Sequence, residues 1–113
     1  MSAFSMLFFN GATGQTMLCG CANVTSSTYI VDSRTKPDYI ILCNYSGTIN
    51  ITLPAPSNAR FLKIKDASGL ANVNNIVIHH HGSEKIDGQN YYTMNSNYQS
   101  VELVSDGTNW FLT

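Results

Sequence analysis

The last third of the chain, Gly82 to Thr113, is the stretch that most restricts what the rest can become. Val101, Leu103 and Ser105 fall on one side of an extended chain, and Glu102 and Val104 on the other. After Ser105-Asp106-Gly107-Thr108 the alternation resumes, with Trp110 and Leu112 on one face and Asn109, Phe111 and Thr113 opposite. An Asp-Gly pair between two alternating runs is a strong hairpin signal, because tight turns need residues that tolerate positive φ. Ile86-Asp87-Gly88-Gln89 repeats that signal. The stretch therefore predicts a β-meander.

Upstream the same period recurs. Tyr29-Ile30-Val31, Asp38 to Asn44, Thr48 to Leu53, Arg60 to Asp66, Asn75 to His81 and Tyr91 to Asn95 each read as a strand. Ile49, Ile51 and Leu53 face inward on one, and Leu62 and Ile64 on the next. Asp38 to Asn44 is apolar on both faces, which places it centrally with cover on each side. Pro54 and Pro56 end a strand, since proline cannot donate to a ladder. No long segment repeats apolar residues at helical spacing. The expected fold is all-β, a small antiparallel sandwich or barrel-like domain over residues 28–113. Ile51, Leu62, Ile64, Leu103 and Trp110 are its predicted core.

Residues 1–27 differ. Phe4, Met6, Leu7, Phe8 and Phe9 precede a break at Asn10 to Gly14, and no charged residue appears before Asp32. An exposed apolar run invites aggregation, so this segment is expected to be an irregular arm packed on its own domain or on a neighbour. Its start has no basic residues, and its apolar run is too short for a signal peptide or a membrane span. Three cysteines, Cys19, Cys21 and Cys43, cannot all pair within one chain, so free thiols and synthesis in a cytoplasm are expected. Cys19-Gly-Cys21 is too tight for a zinc knuckle, and small apolar packing is the preferred reading.

Charge narrows the classes of partner. Only 12% of the 113 residues are charged, and the net charge is -1. Nucleic acid and anionic membrane both reward a basic stripe, so neither is expected as a partner. A surface with few charges is poorly defended against association, which suits a protein that works inside an assembly.

Few residues suggest chemistry. On a strand His79 and His81 share a side, and three copies around an axis would offer six imidazoles, enough for an octahedral transition metal. A solvated polar strand end beside Gly82 is the preferred reading of His79-His80-His81, and no metal is assigned. A glycosidase needs two flanking acids, one with a raised pKa. Asp87 and Asp106 are turn residues, and Asp32, Asp38 and Asp66 flank loops. Spacing alone cannot pair Glu84 with Glu102. No phosphate loop or serine elbow is present. The chain is expected to be no enzyme, with no catalytic residue and no cofactor. Tyr91, Tyr92 and Tyr98 lie near turns and could touch a sugar or a protein neighbour; cross-strand packing is favoured for at least one of Tyr91 and Tyr92.

The run I-D-G…Y-x-x-M-N-S-N-Y-x-S-V-E-L-V-S-D-G-T-N-W, with Ile51-Thr52-Leu53-Pro54 and Arg60 to Gly69 before it, resembles the small β-domains of tailed-phage virion proteins. Those are tail fibres, tailspike modules, head fibres and capsid decoration proteins. The resemblance covers roughly residues 28–113 and implies a trimeric structural module. It implies a class of role and not a position on the particle; the short chain with an apolar arm makes capsid decoration the expected role, as a cement or head-fibre protein that docks through its arm on a major capsid protein or another virion protein. The alternative it leaves is a tail-fibre or spike module that meets a host receptor or surface glycan. Closed three-fold symmetry would cover strand edges. The apolar residues left over after each strand's inward face is assigned, Tyr39, Ile41, Val77 and Phe111, are the expected subunit contacts.

Overall fold

A computed structural model describes residues 9–10, 15–16, 20–31, 38–56 and 61–113. Two very short strands, β1 (Phe9–Asn10) and β2 (Gln15–Thr16), pair only with each other. The remaining strands are β3 (Gly20–Val24), β4 (Thr28–Ile30), β5 (Asp38–Cys43), β6 (Ile49–Thr52), β7 (Phe61–Asp66), β8 (Ile76–His79), β9 (Tyr91–Met94), β10 (Ser100–Ser105) and β11 (Trp110–Leu112). They form a five-stranded sheet, β11-β10-β7-β5-β3, and a four-stranded sheet, β4-β6-β8-β9. No helix occurs among the described residues, so the all-β class is confirmed.

The antiparallel expectation is corrected. From β3 to β8 the chain steps from one sheet to the other with every strand, and each return lies parallel to the strand before it. Thus β3, β5 and β7 are parallel neighbours, as are β4, β6 and β8. A parallel pair needs a long crossover, usually a helix. Here the crossover is a strand of the opposite sheet, so the chain winds. The last third turns back on this coil. β9 runs antiparallel to β8, β10 antiparallel to β7, and β11 antiparallel to β10. Because β9 and β10 lie in different sheets, the expected single meander is reduced to the β10–β11 hairpin.

Alternation decides what is buried. Ile49, Ile51, Leu62, Ile64, Ile76, Ile78, Leu103 and Trp110 are all enclosed, including the five core residues named from sequence. Strand β5 is an interior strand, between β7 and β3, but the expected cover on both faces is corrected: Ile41 and Cys43 are buried, whereas Ile40 and Leu42 are only half-buried on the other side. Its inward side is set by register: Ile41 lies beside buried Ile64, and Ile40 beside Lys63. Ile41 is fully buried, so it is no subunit contact. A strand apolar on both faces does not announce which face is inside; its neighbours decide. Tyr39's side chain lies outside the described residues, whereas Val77 is half-buried and Phe111 exposed. Residues 20–24, within the segment read as arm, form β3 and pair with β5.

The two Asp-Gly turns differ. Asp87 and Gly88 both have positive φ, 50° and 80°, and Ile86 and Gln89 exchange both backbone hydrogen bonds. Between β10 and β11 only Gly107 has positive φ, 95°. There the Asp106 carboxylate accepts from the amides of Thr108 and Asn109, which widens the expected tight hairpin into a capped loop. The hairpin is anchored across the molecule: Trp110 Nε1 donates to Pro54 O at 3.2 Å and Ser105 Oγ to Pro56 O at 2.6 Å.

Candidate functional site

The best-organised surface of the molecule is built on Asp66, the last residue of β7. Its carboxylate is fully buried. Oδ1 accepts from Ser68 Oγ at 2.9 Å and Gly69 N at 3.0 Å. Oδ2 accepts from Ala71 N at 3.0 Å and Tyr98 N at 2.9 Å. Burial alone pushes this acid's pKa up, but the amides of Tyr98 and Ala71, the Ser68 hydroxyl and the Gly69 amide outweigh it and hold the pKa below the ordinary carboxylate range. One ion thus staples the loop after β7 to the loop before β10.

Both loops are further tied. Ala67 N and Ser68 N donate to Cys43 O. Asn72 N donates to Asn97 Oδ1 at 2.9 Å, and the amides of Asn95 and Ser96 both donate to Gln99 Oε1. Asn74 Nδ2 donates to Ser46 O at 3.2 Å, joining the β5–β6 loop to the same end. A shallow, open depression there is lined by Asn44, Tyr45, Ser46, Ala67, Ser68 and Leu70.

Tyr98 is the unusual member. Its φ is +62°, a left-handed conformation that costs a bulky residue about 1–2 kcal/mol. Three contacts fix it there. Its amide donates to Asp66, its carbonyl accepts from Lys65 Nζ at 2.5 Å, and its ring lies against Gly69. A side chain at position 69 would meet that ring at 2.4 Å, and Gly69 itself has φ +76°, so only glycine suits the place. The Lys65 ammonium stands 5.7 Å from the ring centroid. Even so, 61% of Tyr98 is exposed.

The other tyrosines divide. Tyr92 is half-buried and its hydroxyl accepts from Gln99 Nε2 at 3.1 Å, which is a packing role. Tyr91 is exposed opposite His79, the two rings 6.5 Å apart.

The histidines do not line one strand face. Strand β8 ends at His79, whose Nε2 lies 2.9 Å from Asn50 Oδ1. His81 is past the strand and exposed, and its amide donates to Glu84 Oε2. Glu84 also accepts from Gly82 N at 2.9 Å, while His80 Nδ1 lies 3.1 Å from Glu84 O. Glu84 thus organises this turn. Burial pushes its pKa up, yet the amides of His81 and Gly82 leave it lowered overall. Among the described residues no three His, Cys, Asp or Glu side chains gather as a metal site would require. Cys21 is an exposed free thiol on β3. Cys43 is buried, and that burial, aided by the nearby Asp66 charge, pushes its pKa up to about 12. Cys19 lies outside the described residues.

The acids shifted here are held as carboxylates. Asp66, Glu84 and Asp106 all have lowered pKa values, the opposite of what a general acid needs. What this end of the molecule presents to solvent is the Tyr98 ring and polar side chains, its backbone amides being engaged by Asp66 and Gln99. Sequence reading passed over Asp66 and Gly69. The signal was present in Asp66-Ala-Ser-Gly69, an acid at a strand end followed by turn residues. The chain matches no family model and no curated protein sequence.

Proposed function

We propose that the chain is a non-enzymatic structural module of a phage-like virion that works as a trimer, most simply as a capsid decoration protein of the cement or head-fibre kind. The observation that carries this reading is the outer face of the five-stranded sheet. Register sets Phe111, Val104 and Phe61 side by side across β11, β10 and β7, and sets Ile40 and Leu42 beside Lys63 and Lys65 on β5. The opposite charges on β7 and β10 there, Lys63 and Glu102, are spent on each other at 3.5 Å. A partly apolar face on which Lys63 and Glu102 are paired is a surface suited to burial against another subunit.

The role follows from association. The uncharged residues before Gly20 anchor the module to a shell protein or a neighbouring subunit, and the β domain contributes buried area. Binding that exists only in the assembled state stabilises that state by mass action. The exposed rings of Tyr91 and Tyr98 favour a second reading, a tail-fibre or spike module that touches a host surface. Copy number separates the two: a quantitative gel of purified particles should show hundreds of copies for shell decoration and a handful for a tail component. Absence from particles would defeat both. Removing residues 1–19 should leave the circular dichroism of the β domain intact and abolish particle binding; retained binding would overturn the anchor role.

A further inference from the structure

We infer that Tyr98, with the loops stapled around it, is a stacking site for the apolar face of a neutral saccharide. This deepens the second, host-surface reading by naming the ligand class, and the titration below tests the site apart from particle copy number, which tests that reading.

The first reason is pre-organisation. A tyrosine that served only to fill space would have no need of a left-handed backbone, yet Tyr98 sits at φ +62° with its amide held by a buried carboxylate and its carbonyl by Lys65. Such conformations persist only where the surroundings over-determine them, and they cluster at binding and active sites. The second reason is what supports the ring. Gly69 supplies bare backbone beneath it, so the ring is braced on one side while 61% of the residue remains open to solvent. A ring already fixed loses little freedom on binding.

The third reason is the chemistry around it. Asn95, Ser96 and Asn97 precede the tyrosine on its own loop and Asn72 joins that loop from the next, all four exposed and tied through Asn97 and Gln99. Sugar rings present weakly positive C–H groups on one face and hydroxyls at the rim. The first suit the negative face of an aromatic ring and the second suit side-chain amides. Leu70 and Val73, both exposed on the neighbouring loop, extend the apolar part. A protein partner would be met better by a cluster of large apolar residues than by this amide-rich rim.

The uncharged rim suits a neutral sugar. Asp66 has both oxygens occupied and is buried, so it offers no further acceptor to a ligand. The Lys65 ammonium donates to the Tyr98 carbonyl and keeps its charge, 5.7 Å from the ring centroid, so the acidic probe below is the control for an electrostatic contribution.

The test is a titration of the full chain followed by amide NMR shifts. The neutral probes are cellopentaose, maltopentaose and triacetylchitotriose, and the acidic probe is trigalacturonate. At least one neutral probe should shift the amides of residues 69–73 and 96–99 and leave the turn at 86–89 unmoved. Tyr98→Leu keeps the backbone demand and removes the ring; it should weaken binding about tenfold or more, while Tyr98→Phe should stay within about threefold of the parent. Melting of both variants checks that they fold; if Tyr98→Leu does not, the probe panel and Tyr98→Phe decide. No shift with any neutral probe at about 10 mM, undiminished binding by folded Tyr98→Leu, loss of binding in folded Tyr98→Phe, or binding of the acidic probe alone would each overturn the proposal.

Discussion

A single carboxylate organises one end of this molecule, and its protonation has a definite cost. Asp66 is ionised in the folded state and its pKa is lowered there. A lowered folded pKa means that its stabilisation is present above the unfolded value, about 4, and fades as pH falls through the lower folded value. Asp66→Asn loses the charge and replaces one of two accepting oxygens by an N–H donor, so two of the four donors lose their acceptor; it should cost at least about 2 kcal/mol at pH 7 in a urea melt, since each unsatisfied buried donor costs about 1–3 kcal/mol. The gap between parent and variant should close as the pH is lowered into that window; a constant gap would show that the charge contributes nothing. Thiol chemistry makes a second residue-level prediction. Exposed Cys21 should alkylate readily at pH 8, whereas Cys43, buried and raised to about 12, should alkylate only in denaturant, as peptide mapping will show. Equal labelling of both would mean that β5 is not enclosed.

Among the elements, the β10–β11 hairpin and the 86–89 turn carry the sharpest expectations. Leu103 is fully enclosed, so Leu103→Ala should cost about 2–5 kcal/mol in urea unfolding. A Cβ at Gly88 would meet nothing within 4 Å, yet φ there is +80°. Gly88→Ala should therefore cost roughly 1–2 kcal/mol from backbone strain alone. These elements also mark how far sequence reading reached. Strand positions were legible because period-two alternation is local: Ile49, Ile51, Leu62 and Ile64 identify their own faces. Strand direction was not, because alternation reads the same whether the next strand arrives parallel or antiparallel. The inward face of β5 was not legible either, since Ile40, Ile41 and Leu42 are all apolar and only the register with β7 ranks them. The proposed Tyr98 site was half legible. Tyr98 was named with Tyr91 and Tyr92 as a residue that could touch a sugar or a protein neighbour, but its bracing depends on Asp66 and Gly69, which are distant in sequence.

At the scale of the whole molecule, the proposed trimer rests on the outer face of the five-stranded sheet. Val104→Lys should convert the proposed trimer to monomer by light scattering at micromolar concentration while changing stability by less than about 1 kcal/mol, since Val104 is only half-buried. A folded monomer in the parent protein would remove the basis for that face as a subunit contact. The winding of the chain has one more consequence, in time. Strands β3 to β8 form a coil whose neighbours are far apart in sequence, and the residues that close it come last: β10 pairs with β7, and Trp110 reaches back to Pro54. A chain still being synthesised, at about 5–20 residues per second, has no partner for the free edge of β7 until β10 emerges. Closure of the sheet therefore waits for residues 100–113, and a chain that lacks them exposes an open sheet edge to any other copy nearby. The final hairpin works as the latch of the fold, and a chain truncated before Gln99 should be recovered as aggregate rather than as a smaller folded domain.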